Sequence, residues 1–303
     1  MAATLPSIPG SDAVEWPRVA RAVFAVRQHY RYTYSGPVSN VEQRLLMVPP
    51  RLHGDQRLVS HRLDVRGAAP AAAVVWERDT WGNRVCRVHA DVVRHAIDFE
   101  VQYTVERSRV AAGGPERWPD EQRFLRPTGL TAPDARLRAA AADIAARAAS
   151  PGERAERAHD WAAGAIDYQL GLTGVHTPAA MALHLGKGVC QDYAHIMLCI
   201  LRLLGIPARY VSGHLLGHGA PHAWVEALVD GGAIVYDPTH QRRGGLTYIT
   251  VATARDFADV TPTSGVFTGP ATGQLSATKQ AEVIEVEYAD RDDPGAAAGE
   301  VAA

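Results

Sequence analysis

The sequence predicts an α+β protein in which a β-rich N-terminal domain precedes a core of helices packed on an antiparallel sheet. Three observations carry that expectation. From about residue 19 to 106, apolar and polar residues alternate in the period of half-buried strands. From 134 to 204, apolar residues recur at helical spacing between recognisable caps and breakers. After 208 the short alternating period returns, interrupted by Gly and Pro.

In the first domain the strand-like runs are 22–34, 44–48, 57–66, 73–79, 84–90 and 96–106. Between two of them, Asp79-Thr80-Trp81-Gly82-Asn83 ends in a Gly-Asn pair that tolerates positive φ, so a hairpin is expected there. A polar stretch containing Pro and Gly, 111–133, breaks the pattern and reads as the connection to the second domain.

Helices follow. Asp134 to Ala149 is rich in Ala and Arg. Ser150-Pro151-Gly152-Glu153 supplies an N-cap, a first-turn proline and a capping-box glutamate for a second helix running toward Ile166. Thr177-Pro178 repeats the cap-and-proline signal for a short helix ending near Leu185, followed by the turn Gly186-Lys187-Gly188. From Cys190 to Leu204 the apolar positions Ala194, Met197, Leu198, Leu201 and Leu204 define another helix, which Gly205 and Pro207 end. The runs 208–216, 222–230 and 232–238 are short strands expected to form an antiparallel sheet on that helix. Beyond Thr261 the sequence is loop-like, with one more alternating run at 283–289.

Composition narrows the partners. With 31 basic and 33 acidic residues and a formal charge of -2, the chain has no global field to recruit nucleic acid or an anionic membrane, so a small or peptidic partner is favoured and a protein or peptide substrate is expected. The first fifteen residues lack a basic segment followed by an apolar one, and no stretch approaches the roughly 18 apolar residues of a membrane span, which reads as a cytoplasmic protein. Three widely spaced cysteines argue against a disulfide framework and a four-thiolate zinc site. No Walker spacing and no GxGxxG after a strand is present, and no acidic calcium loop stands out, so no cofactor and no metal are expected.

Cys190 falls in the first turn of its helix, where unpaired N–H groups and the helix dipole favour a thiolate. A depressed thiol pKa is therefore expected. Cys199, inside an apolar helical run, and Cys86, inside a strand, read as packing residues. His222 opens the strand 222–230 and Asp237 ends the strand 232–238. Nucleophile, base and orienting carboxylate thus occur in order, and nucleophilic catalysis needs all three types: an imidazole to take the thiol proton and a carboxylate to fix its tautomer. Trp224 stands two positions after His222 on the same strand face, able to wall a cleft or to fill the core. A competing arrangement is His214, His218 and His222 at intervals of four, a zinc-hydrolase pattern that needs a helix, whereas this Gly- and Pro-containing segment reads as a loop. A non-catalytic binding protein is a third possibility.

The segments Gly188-Val189-Cys190-Gln191-Asp192-Tyr193-Ala194-His195, His222-Ala223-Trp224-Val225-Glu226 and Tyr236-Asp237-Pro238-Thr239 resemble the three motifs of bacterial transglutaminase-like proteins. Leu203 to Gly213 and Ala254 to Pro262 are also similar to that family, and the β-rich segment before Arg107 resembles the region often found ahead of its core. The resemblance implies a papain-like fold with Cys190, His222 and Asp237 as catalytic triad. It implies acyl transfer on a carboxamide or peptide bond through a thioacyl-enzyme, with a cysteine peptidase or amidase as the alternative. The backbone N–H of Cys190 is a candidate oxyanion donor, with Tyr168 or Gln191 as a second. Asp192 and Tyr193 are explained as first-turn helix residues, the acid being favourable near the N-terminus and the ring packing inward. The expected organisation is a disordered N-terminus (1–15), a β-rich domain (16–125), a transglutaminase-like core (126–262), and a C-terminal extension (263–303) with one strand and a disordered tail.

Overall fold

The computed structural model describes residues 14–109, 118 and 120–289. The disorder expected for 1–15 and for the C-terminal tail concerns positions that lie almost wholly outside these residues.

The first region contributes β1 (Val19–Tyr34), β2 (Val38–Leu45), β3 (Leu52–His53), β4 (Gln56–Ala68), β5 (Ala73–Arg78) and β6 (Arg84–Ser108). The 25-residue β6 is its spine: one side pairs with β2 and then β1, the other with β5 and then β4, all antiparallel. Its alternation is strict where it crosses the core, with Ile97, Phe99, Val101, Tyr103 and Val105 all buried. The hairpin expected at Asp79–Asn83 forms between β5 and β6. Asp79 Oδ1 accepts from the N–H groups of Trp81 and Asn83 at 2.9 Å, and Gly82 takes φ +86°.

The helical unit comprises α1 (Ala135–Arg147), α2 (Pro151–Ala163), β7 (Asp167–Tyr168), α3 (Ala179–Leu185), β8 (Lys187–Gly188) and α4 (Cys190–Leu203). Asp134 caps α1 through the N–H of Leu137 at 2.8 Å. Ser150 caps α2 through the N–H of Glu153 at 3.1 Å, while Glu153 reaches back to the N–H of Ala149 at 2.9 Å. The cap expected at Thr177 does not form. Its hydroxyl accepts from the N–H of Gly174 at 2.9 Å, Pro178 occupies the N-cap position of α3, and Lys187–Gly188 forms a short parallel pairing with β7. Helix α4 is buried on every side from Gln191 to Arg202 and packs against α1, α2, α3 and the sheet that follows.

That sheet is built from β9 (Ala208–His214), β11 (His222–Val229), β12 (Gly232–Asp237), β13 (Arg242–Arg243) and β14 (Ile249–Ala254), in the order β13-β12-β11-β9-β14. Between β9 and β11 lies the two-residue β10 (Gly217–His218), which belongs to the first sheet.

The largest departure from the sequence expectation is at the C-terminal side. Residues 263 onward are not an extension carrying one short strand: β15 (Thr263–Thr268) pairs with β2, and β16 (Gly273–Tyr288) pairs with β1 along sixteen residues. The first sheet thereby reaches nine strands. Residues 273–278 are exposed on both faces, so they carry no alternation, and the buried-on-one-face pattern begins only at Lys279.

Two side-chain amides tie the regions together. β14 is an edge strand whose outer backbone groups need partners. Gln56 donates to the carbonyl of Thr250 (2.8 Å) and accepts from its N–H (2.9 Å), and Asn83 does the same at Thr253 (2.9 Å each). Among the described residues no helix is long and apolar enough to cross a membrane. Replacing Asn83 by Ala strands a buried N–H and C=O, and should lower unfolding free energy by about 1–3 kcal/mol in a denaturant titration. An unchanged midpoint would show that this clamp contributes nothing.

Candidate active site

The sheet and α4 bring the three expected residues to one place. Cys190 is the first residue of α4 and is partly exposed, whereas Cys86 and Cys199 are buried as expected of packing residues. The backbone N–H groups of Ala223 and Gln191 are near enough to the Cys190 sulfur to favour its thiolate, which sets the thiol beside the β11 backbone next to His222. β11 and β12 run antiparallel, so the start of one lies beside the end of the other. His222 Nε2 and Asp237 Oδ2 are 2.8 Å apart. A carboxylate can only accept, so Nε2 carries the proton and Nδ1 is left as the basic nitrogen.

The Asp237 carboxylate is fully buried and receives five hydrogen bonds. His222 Nε2 (2.8 Å), His240 Nδ1 (2.7 Å) and the Tyr248 hydroxyl (2.7 Å) meet Oδ2, and the N–H groups of Thr239 (3.1 Å) and His240 (3.3 Å) meet Oδ1. Burial alone raises such a carboxyl. The bond and charge of His222, with His240 and Tyr248, outweigh it and hold Asp237 well below the ordinary carboxylate range. Arg242 Nε donates to the Tyr248 hydroxyl at 2.8 Å, orienting that group toward the acid. His240 and Tyr248 are contributors that the sequence analysis missed. The one available signal was the placement of His240 three residues after Asp237.

The thiol departs from expectation. Burial pushes Cys190 up to about 11, the N–H groups of Ala223 and Gln191 pull it down less strongly, and Asp237 and Asp192 add to the rise. Cys190 does stand at the helix start, as the sequence implies, but desolvation is the largest influence on its thiol.

Cys190, His222 and His240 line a cleft of about 450 Å³, whose far wall is the 215–221 loop. Lys279 of β16 latches this loop by donating to the carbonyls of Leu215 (2.8 Å) and Gly217 (3.1 Å). Trp224 does not wall the cleft. It is buried against Tyr248 and over Gly213, where an added Cβ would lie 2.2 Å from the Trp224 ring. Of the two side chains considered as second oxyanion donors, Tyr168 lines the cleft, whereas Gln191 is directed to the carbonyl of Gly174 at 3.3 Å. Asp192 caps its own helix through the N–H of Val189 (2.8 Å) and accepts from Thr173 (2.7 Å).

The histidine series does not assemble. His214 is buried in β9 with both ring nitrogens unpartnered, and His218 is exposed in β10. Among the described residues, the group whose ligand atoms lie close enough for a metal ion is instead His222, Asp237 and His240, within 4.8 Å of one another. Those atoms are already joined by hydrogen bonds through Asp237 Oδ2.

Comparison with known proteins agrees with this architecture. Residues 138–238 match the transglutaminase-like superfamily, and residues 24–106 match the bacterial transglutaminase-like N-terminal region. The chain belongs to the transglutaminase-like superfamily, with the N-terminal region of its bacterial members. A Mycobacterium leprae protein is 41% identical over 155 residues, 48% of this chain and 55% of that relative, so the match spans about half of the relative's length. A Mycobacterium bovis protein is 29% identical over 284 residues, covering 80% of this chain and 87% of the relative. The solved structure of a candidate cysteine protease from Cytophaga hutchinsonii shares the fold, with a TM-score of 0.72 at 21% identity over 89% of this chain and 93% of that one.

The depressed Asp237 pKa fixes the sign of a pH effect. Its stabilisation is fully present above the unfolded value near 3.9 and is lost as pH falls toward the folded one. Asp237→Asn should be less stable than wild type at neutral pH, and the difference between their melting temperatures should shrink below about pH 4. A constant difference down to strongly acidic pH would exclude the carboxylate as its source.

Proposed function

We propose that the chain is a cysteine-dependent acyl-transfer enzyme acting on a carboxamide or peptide bond, with Cys190 as nucleophile, His222 as general base and acid, and Asp237 as orienting carboxylate. The observation that carries this reading is the His222 Nε2–Asp237 contact at 2.8 Å on a histidine that shares one cleft with a partly exposed helix-start cysteine.

In the proposed cycle the resting thiol is protonated, consistent with its raised pKa. As the sulfur bonds to the substrate carbonyl carbon, His222 Nδ1 takes its proton and Asp237 stabilises the resulting imidazolium. The developing oxyanion is met by the Cys190 N–H at the start of α4, with the Tyr168 hydroxyl as a second donor. Collapse breaks the C–N bond, and His222 returns the proton to the leaving amine or ammonia, leaving a thioester on Cys190. A second amine, deprotonated by His222, attacks this carbonyl and restores the thiol with a new amide. Water entering instead gives an acid, which is the cysteine peptidase or amidase reading. The fold shared with the Cytophaga hutchinsonii structure, itself named as a candidate cysteine protease, favours keeping that second reading.

Mass spectrometry of a glutamine-containing peptide library, incubated with wild type or Cys190→Ala in the presence and absence of a primary amine, separates the outcomes. Amine incorporated by wild type establishes transfer, and cleavage or deamidation irrespective of amine establishes hydrolysis. Turnover in the Cys190→Ala or His222→Ala variant should fall on the order of 10³-fold or more. Undiminished turnover in Cys190→Ala would overturn the assignment.

A further inference from the structure

The segment beside the nucleophile has an unusual surface. From Tyr168 to Gly186 there is no Asp, Glu, Lys or Arg, in a chain where 21% of residues are charged and a stretch of that length would carry about four. The same segment holds Tyr168, Leu170, Leu172, Val175, Met181 and Leu185, all exposed large apolar residues. Leu170 is 74% exposed and Leu172 51%, and so many exposed aliphatic side chains in one segment mark a contact surface.

This surface is fixed to the nucleophile's own helix. The Gln169 N–H donates to the carbonyl of Gly188 at 2.8 Å, Thr173 donates to Asp192 at 2.7 Å, and Gln191 donates to the carbonyl of Gly174 at 3.3 Å. Its first residue, Tyr168, lines the cleft together with Cys190. The segment therefore begins at the cleft and is anchored at Gly188, Gln191 and Asp192, on either side of Cys190.

We infer that this segment is an apolar shelf that receives the substrate. It selects a polypeptide carrying large apolar side chains next to the residue that reacts with Cys190. The inference rests on the proposed nucleophilic role of Cys190 and adds a substrate class to it. Along the shelf only His176 and His184 are titratable besides Tyr168, so acidic or basic flanking residues are disfavoured, because they would be desolvated there without an Asp, Glu, Lys or Arg partner.

The test uses two short peptides bearing the same chloroacetamide group, one flanked by leucines and one by serines, and follows alkylation of Cys190 by mass spectrometry. It requires no turnover. Wild type should react with the leucine peptide about tenfold faster than with the serine peptide, the effect of seating roughly one leucine-sized group. In the Leu170→Ser/Leu172→Ser variant the two rates should come within about twofold of each other, while small iodoacetamide alkylates Cys190 equally in both proteins. Equal peptide rates in wild type, or a preference that survives in the variant, would overturn the shelf while iodoacetamide labelling leaves the nucleophile intact. Dimerisation of wild type that the double substitution abolishes would assign this face to a second copy and also overturn the proposal. If iodoacetamide fails to label Cys190 at all, the nucleophile assignment falls, and the shelf with it.

Discussion

Helix α4 is buried along its whole length from Gln191 to Arg202, and the rest of the core follows from covering it. A helix buried on every face needs neighbours on every face. Helices α1, α2 and α3 supply part of that cover, and β9 and β11 supply the remainder. Arg202 lies within this core, where its guanidinium donates to the carbonyls of Phe124, Ala208 and Arg255 and to the Thr131 hydroxyl; burial lowers it to about 10. Such an enclosed helix can offer a reactive group to solvent at its end. Cys190, at the first position and next to a cleft, occupies that end.

The nine-stranded sheet is part of the site's construction. Gln56 and Asn83 complete the outer edge of β14, which flanks β9, and β9 pairs with β11 through Gly213 and His222. From the opposite direction, β16 pairs with β10 and uses Lys279 to hold the loop that closes the cleft. The C-terminal strand thus links the N-terminal sheet to the wall facing Cys190. The first sheet thus bears on the chemistry through the shape of the cleft.

Local rules made much of this legible. Ser150 announced its helix because a cap needs one side chain and the N–H three residues on. The α4 pattern was readable because its apolar spacing is uninterrupted from Ala194 to Leu204. The order Cys190, His222, Asp237 was visible because each stands at the end of a regular element. What remained hidden depended on distant contacts. The first half of β16 buries neither face, so no period betrayed it. Tyr248 reaches Asp237 only through the path of the chain after β13, and the raised Cys190 pKa follows from burial in the folded chain, which local spacing does not report. Thr177 looked like a cap, but its hydroxyl found a nearer N–H in its own loop, at Gly174.

The account's central claim is that Cys190 carries an acyl group during the reaction. The direct measurement is intact-mass analysis of protein mixed with an activated p-nitrophenyl ester and quenched in acid, with the modified residue located by peptide mapping. The account predicts one acyl group on Cys190, released by hydroxylamine as a thioester, absent from Cys190→Ala and slow to form in His222→Ala. Acylation confined to other residues, or an unmodified Cys190 while ester is consumed at the wild-type rate, would contradict it.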